Sequence, residues 1–174
     1  MNITTALAAI ALAASALAPA ADAIPITPET TIEVHCVGEA LPIDSTSLPP
    51  APVCFDAQEE AAAYLEGITQ SQSRSSTSTI VLGTVYENSN YSGSSYTFWG
   101  SGACNGATYG FASLSGGWDT RISSARAAGG CWVTLYKATG YGGEKATCTP
   151  QCASIGILND QVRSIVFRPE GTIG

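Results

Sequence analysis

Chemistry in this chain has few places to come from. Its 174 residues hold one histidine, His35, six cysteines and a thin scatter of carboxylates. A Ser-His-Asp or Cys-His arrangement needs an imidazole within hydrogen-bond reach of both its nucleophile and its orienting acid. His35 stands in Thr31-Ile-Glu-Val-His-Cys36, well before the main β-rich part of the chain, so it reads as a structural residue and the chain as no enzyme. Asp119 and Asp160 are the carboxylates that could be paired for acid–base work. Each lies in a turn-like hexapeptide, Asp119-Thr-Arg-Ile-Ser-Ser124 or Asn159-Asp-Gln-Val-Arg-Ser164, where short polar side chains hydrogen-bond the backbone. The cysteines, Cys36, Cys54, Cys104, Cys131, Cys148 and Cys152, read as disulfides of an exported chain, and composition alone leaves their pairing open. A zinc reading is poorer: Cys148 and Cys152 have a ligand-like spacing, but neither a second such pair nor a nearby histidine accompanies them.

The elements that must position these residues are repeated. Two β-branched and aromatic runs, Ile80-Val-Leu-Gly-Thr-Val-Tyr86 and Cys131-Trp-Val-Thr-Leu-Tyr136, have the composition of strands. They lead into Tyr86-Glu-Asn-Ser-Asn-Tyr-Ser-Gly93 and Tyr136-Lys-Ala-Thr-Gly-Tyr-Gly-Gly143, the same spacing of two tyrosines and a glycine at an offset of fifty. Such a break predicts a folded-over hairpin, with Gly93 and Gly143 taking backbone angles that a side chain resists. The two hexapeptides align at an offset of forty, so the second copy is ten residues shorter, the slack lying between Tyr96 and Trp118. Each hexapeptide feeds a closing strand, Ile122–Arg126 or Val162–Phe167. Duplicated sets of short strands predict a two-sheet sandwich in which each copy buries its apolar face against the other.

What precedes the repeats differs in kind. Residues 1–23 read as a signal peptide: Ile3 to Ala20 is uncharged and rich in Ala and Leu, and Ala21-Asp22-Ala23 predicts cleavage after Ala23, although no Lys or Arg follows Met1. The apolar part is shorter than the roughly 20 residues of a membrane span. Residues 24–68 form an acidic appendage or pro-segment, with a short strand at Thr31–Cys36, a proline-rich loop, and a helix opened by Asp56-Ala-Gln-Glu59 and ended by Gly67. Residues 69–79 read as a Ser/Thr-rich linker around Arg74, either a protease site or an uncut tether. The net charge of −7 is concentrated before Ile80, while the rest of the chain is close to neutral. No basic stripe exists for nucleic acid. The expectation is a secreted, extracellular monomer with no membrane span and a protein or cell-wall target.

The paired octapeptides and hexapeptides resemble the βγ-crystallin family over residues 80–169, and its microbial secreted members in particular, which include a metalloproteinase inhibitor and killer-toxin-like proteins. The resemblance implies an all-β sandwich of two Greek-key motifs, 80–127 and 131–168, here with a small N-terminal α+β appendage. It also implies that the hexapeptides are where calcium would bind. Asp119, Ser123, Asn159 and Asp160 then form a weak calcium site at most, because Thr120 replaces a usual Asn or Asp and Arg163 stands where a hydroxyl is expected. No cofactor is required. With the appendage and the repeated domain distinguished, the cysteines pair as Cys36 with Cys54, Cys104 with Cys131, and Cys148 with Cys152. Three functions follow: a non-catalytic binding protein of killer-toxin or antimicrobial type, a protease inhibitor presenting the loop Ser101–Gly117, or a calcium-modulated structural domain. The glycines of that loop, Gly106, Gly110, Gly116 and Gly117, suggest pliability, which speaks against the inhibitor. Trp99, Trp118 and Trp132 are expected in the core, with a sugar- or protein-binding surface as the alternative.

Overall fold

Ten strands, one α-helix and a short 3-10 helix at Gly156–Leu158 follow one another in a computed structural model that describes residues 32–72 and 78–173, Gln72 by its backbone alone. The signal-peptide reading with its cleavage at Ala23, and the processing site at Arg74, lie outside the described residues. Strands β1 (His35–Glu39) and β2 (Val53–Phe55) precede helix α1 (Gln58–Gln72). The first motif supplies β3 (Ile80–Asn88), β4 (Ser92–Gly100), β5 (Tyr109–Phe111) and β6 (Ser124–Ala127). The second supplies β7 (Cys131–Tyr136), β8 (Lys145–Cys148), β9 (Gln151–Cys152) and β10 (Ser164–Pro169).

The strand orders, β2-β1-β4-β3-β6-β9 and β5-β10-β7-β8, show how the motifs interlock. Each keeps three strands in its own sheet and lends its third, β5 or β9, to the edge of the other. This is the all-β, two-motif Greek-key sandwich that the βγ-crystallin resemblance implies. Between the sheets lie Tyr96, Phe98, Phe111, Trp118 and Phe167, with Leu82, Val85, Val133, Leu135 and Ile165, all buried. Phe98 stacks on Tyr96 at 4.1 Å and meets Phe111 at 5.0 Å and Phe167 at 5.2 Å, so aromatics from β4, β5 and β10 knit both motifs together. Of the three tryptophans, Trp118 alone is fully buried; Trp99 and Trp132 are half-buried.

The appendage is built into this sandwich. Strand β1 pairs in parallel with β4, from His35 opposite Ser95 to Glu39 opposite Trp99, and so extends the first sheet. Its other edge takes β2, with Cys36 and Cys54 directly opposite each other and joined by a disulfide. The described residues all fall within one compact unit. The strand read at Thr31–Cys36 begins at His35 because pairing with β4 begins there. The helix also runs past its expected stop: Gly67 lies inside α1, and Thr69 to Gln72, read as linker, are its last turn. A glycine costs an exposed helix only about 1 kcal/mol, and half-buried Leu65 and Ile68 on either side continue the turn.

The two repeats match bond for bond. The Ser124 hydroxyl donates to the Asn88 carbonyl at 2.6 Å and accepts the Tyr91 N–H at 3.0 Å. The Ser164 hydroxyl does the same with Ala138 at 2.6 Å and Tyr141 at 3.1 Å. Each bridges a folded hairpin to the strand that closes its motif. Tyr91 and Tyr141 take left-handed φ angles of 63° and 62°, and Gly93 and Gly143 follow at 76° and 78°. Both serines are fully buried. Replacing Ser124 or Ser164 by Ala removes two hydrogen bonds and leaves the half-buried Tyr91 or Tyr141 N–H without its acceptor, so each should lower stability by about 2 kcal/mol, read from the urea unfolding midpoint.

Candidate functional site

Two regions of the described residues could do work: the hexapeptide turns, and the loops at the end of the sandwich that carries β5. In the turns, Thr120 and Asp160 hold equivalent places, with φ of 58° and 56°. The Thr120 N–H donates to the Val162 carbonyl at 2.7 Å, and the Asp160 N–H to the Ile122 carbonyl at 3.0 Å, so each turn is bonded to the opposite motif. That crossing brings Ser123 and Asp160 together, the hydroxyl donating to Asp160 Oδ1 at 3.2 Å. Asn159 turns its amide onto Asp160 Oδ2 at 2.6 Å. Asp119 is exposed and makes no hydrogen bond with these three. Among the described residues no group of three or more His, Cys, Asp or Glu side chains is placed to hold a metal ion.

Cations stand beside both turns. Near the first, Arg121 Nε donates to Glu87 Oε1 at 2.8 Å, its Nη2 donates to Ser94 Oγ at 3.1 Å, and its guanidinium lies 5.4 Å from the Trp118 ring centre. The Arg121 hydrogen bond holds the Glu87 carboxyl below the usual carboxylate range. At the equivalent place of the second, a cleft is lined by Thr120, Lys137, Gln161 and Arg163. Lys137 is paired with Glu144 at 2.8 Å, and Arg163 is exposed. This second position offers two cations and no carboxylate in its lining, so its residues do not fit calcium. The first retains Ser123, Asp160 and Asn159 oxygens, short of the roughly six to eight that the ion takes.

At the β5 end, the long loop Ser101–Gly117 is not pliable throughout. Cys104 is buried and bonded to Cys131, and its N–H donates to the Gly129 carbonyl at 3.1 Å. Tyr109–Phe111 pairs with β10, and the Leu114 N–H donates to the Arg163 carbonyl at 2.9 Å. Gly110 is required by space: a Cβ there would lie 2.7 Å from the Tyr141 hydroxyl. The glycines therefore serve close packing and turns as well as freedom, and the exposed parts of the loop are Ser101, Asn105–Gly106, Ala112–Ser113 and Ser115–Gly117. The proline-rich loop read between the first strand and the helix lies beside it, a placement that the sequence did not indicate. Pro42 bridges to Tyr109, the Ile43 N–H donates to the Thr108 carbonyl at 2.9 Å, and the Gly110 N–H donates to the Leu41 carbonyl at 3.2 Å. A cleft of about 340 Å³ lies between Leu41–Pro49 and Gly110–Ser113, with Tyr141 at its wall. The prolines between Cys36 and Cys54 marked the loop, and no local pattern in it names β5 as its neighbour.

His35 is 5% exposed, with Nδ1 2.9 Å from the Ser95 hydroxyl and Nε2 3.9 Å from Glu33. Cys148 and Cys152 form the third disulfide, and no described cysteine is free. Among the described residues no helix is long and apolar enough to cross a membrane.

The chain's relatives accord with this geometry in part. Residues 85–148 match the family model of peptidase inhibitor family I36. No curated protein matches the chain. Among solved structures, the N-terminal domain of protein S is 25% identical over 49% of this chain and 93% of its own, with a TM-score of 0.40. A βγ-crystallin domain from Flavobacterium johnsoniae is 26% identical over 53% of this chain and 99% of its own, with a TM-score of 0.38. One from Clostridium beijerinckii is 22% identical over 50% and 97%, with a TM-score of 0.39. The chain thus resembles βγ-crystallin domains, and the stretch matched to the inhibitor family spans the first hairpin, the Ser101–Gly117 loop and the Cys104–Cys131 disulfide.

The Glu87–Arg121 pair gives the first turn a pH dependence of known sign. A carboxyl whose pKa is lowered by folding stabilises the fold above its ordinary value, and that contribution is lost as the pH falls through the lower folded value. Glu87→Gln should therefore lower the urea midpoint near neutrality and converge with the parent on acidification from about pH 6 to about pH 3. A constant gap across that range would show that the pair is not the cause.

Proposed function

We propose that this chain is a secreted, non-catalytic protein that binds and inhibits an endopeptidase. The observation that carries the reading is the match of residues 85–148 to a peptidase inhibitor family, over the part of the fold that holds the disulfide-anchored loop. Three disulfides suit an extracellular protein. Stiffness supports the reading too: an inhibitor must present backbone to a cleft without being loosened by it, and preorganisation reduces the entropy lost on binding. Cys104–Cys131 closes a loop whose ends are 27 residues apart, for which loop-closure entropy contributes about 3 to 4 kcal/mol. The killer-toxin or antimicrobial reading has no comparable support.

Calcium plays at most a minor part in this proposal, through Ser123, Asn159 and Asp160; heat on titration with millimolar calcium chloride would argue for it, and a flat calorimetric trace against it. The appendage is part of the working protein, because β1 completes the edge of β4 and adds a packed loop beside β5. Residues 1–23 direct export and are removed, so the secreted protein begins at Ile24. Purified full-length secreted protein should inhibit at least one of a thermolysin-like, a subtilisin-like and a chymotrypsin-like endopeptidase at submicromolar concentration. Reduction of its disulfides should abolish the inhibition. Failure against all three would sink the proposal.

A further inference from the structure

The geometry points to Leu48, at the tip of the proline-rich loop between β1 and β2, as the residue that enters the apolar specificity pocket of the target endopeptidase. This inference rests on the inhibitor reading and extends it to a loop outside the stretch that matches the inhibitor family.

Leu48 is 90% exposed, the highest value among the large exposed hydrophobic side chains described. An isolated surface leucine needs no explanation. The setting of this one does. Its loop is closed at the base by the Cys36–Cys54 disulfide and by the pairing of Val37 with Val53. The nearer half is pinned to the sandwich by the bonds of Leu41 and Ile43 to Gly110 and Thr108, and a turn follows in which the Ser45 N–H donates to the Pro42 carbonyl at 2.9 Å. The Ser47 N–H is held by the Ser45 hydroxyl at 3.2 Å. Beyond the tip, Pro49, Pro50 and Pro52 restrict the backbone, and a residue preceding proline is driven to extended angles.

Leu48 is thus an aliphatic side chain held out to solvent on a stiff backbone with few states left to lose. Endopeptidases bind their substrates as extended backbone, with a side chain seated in a pocket. The peptide bond after Leu48 leads to proline, whose ring nitrogen carries no N–H, so that bond lacks a donor an ordinary substrate offers. A cut elsewhere in the loop would add one water across one amide, giving a carboxylate and an amine. The two ends would stay joined through Cys36–Cys54 and seated by the bonds to β5. Ala112, Ser113 and Tyr141, across the cleft from this loop, offer a second surface to the same enzyme.

The test uses the full-length secreted chain against the three endopeptidases named above, with Leu48→Ala, Leu48→Asp and, as an exposed apolar control, Ile157→Ala, a side chain 73% exposed. Because Leu48 is solvated, its variants should keep the parent's urea midpoint. Removing an aliphatic side chain from an apolar pocket should raise the inhibition constant by about ten- to a hundredfold, with Asp worse than Ala and the Ile157 variant unchanged. Parental inhibition that survives Leu48→Asp within twofold would overturn the inference and leave the inhibitor reading standing. A parent that inhibits none of the enzymes would overturn both. A nick found after long incubation with enzyme should lie between Leu41 and Pro52, with fragments that part only on reduction; a nick in Ser101–Gly117 instead would count against Leu48.

Discussion

Each half of the sandwich is closed by one buried serine hydroxyl, and the hairpins, the hexapeptide turns and the last strands take their places from it. Ser124 and Ser164 each spend both hydrogen-bonding capacities, donating to a carbonyl in the folded hairpin and accepting an N–H from its left-handed residue. A hairpin folded over its own strand turns backbone groups away from the sheet ladder, and buried ones must find partners. The hydroxyl supplies them. In doing so it fixes where the closing strand begins, since Ser124 stands opposite Tyr86 and Ser164 opposite Tyr136. The residue before each serine is then positioned by its backbone: the N–H of Ser123 reaches the Tyr86 carbonyl at 2.9 Å, and that of Arg163 the Tyr136 carbonyl at 2.8 Å. Those bonds ask nothing of the side chain. The second turn can therefore carry Arg163 where the first carries Ser123 while the motif keeps its shape.

The exchange of third strands joins the two closed halves into one body. Neither β5 nor β9 has a pairing partner in its own motif, and without the other half their backbone groups would be left open. The aromatic residues of β4, β5 and β10 meet at that exchange. The same reasoning covers the outer edge of β4, a long strand that would end the first sheet. Parallel β1 covers it, and β2 and the disulfide behind it leave only a three-residue strand exposed at the edge. The appendage does for β4 what β10 does for β5.

The sequence made the repeats legible because a folded hairpin and its serine tolerate few substitutes: the two tyrosines, the left-handed glycine and the final serine recur at fixed offsets. The strand exchange was not readable from alternation, since β9 is two residues long and β5 three. The helix was legible in its start, while its end was not, because Gly67 is a weak breaker where nothing crowds it. The appendage's place was hidden for a different reason. A parallel pairing of His35–Glu39 with Ser95–Trp99 joins residues sixty positions apart, and no local pattern in either segment names the other. Of the candidate site, the hexapeptide residues were found by spacing, and the structure brings Ser123, Asn159 and Asp160 together while Asp119 stays exposed. Leu48 escaped notice since exposure is a property of the fold.

Charge pairs and covalent cross-links both brace the described residues, and they do so unequally. In a calcium-bound turn, the ion's charge gathers oxygens from both motifs. Here each place carries cations of its own. Arg121 joins Glu87 and Ser94 and covers Trp118. Lys137 joins Glu144 across the second hairpin. Such exposed or half-exposed pairs contribute little each, so they do not replace an ion in strength. The covalent cross-links do more. Cys104–Cys131 ties the long loop of the first motif to the first strand of the second, Cys148–Cys152 ties the two short strands that pass between the sheets, and Cys36–Cys54 closes the edge. They are not confined to the surface: Cys36, Cys104, Cys131 and Cys148 are buried with the aromatics of the core.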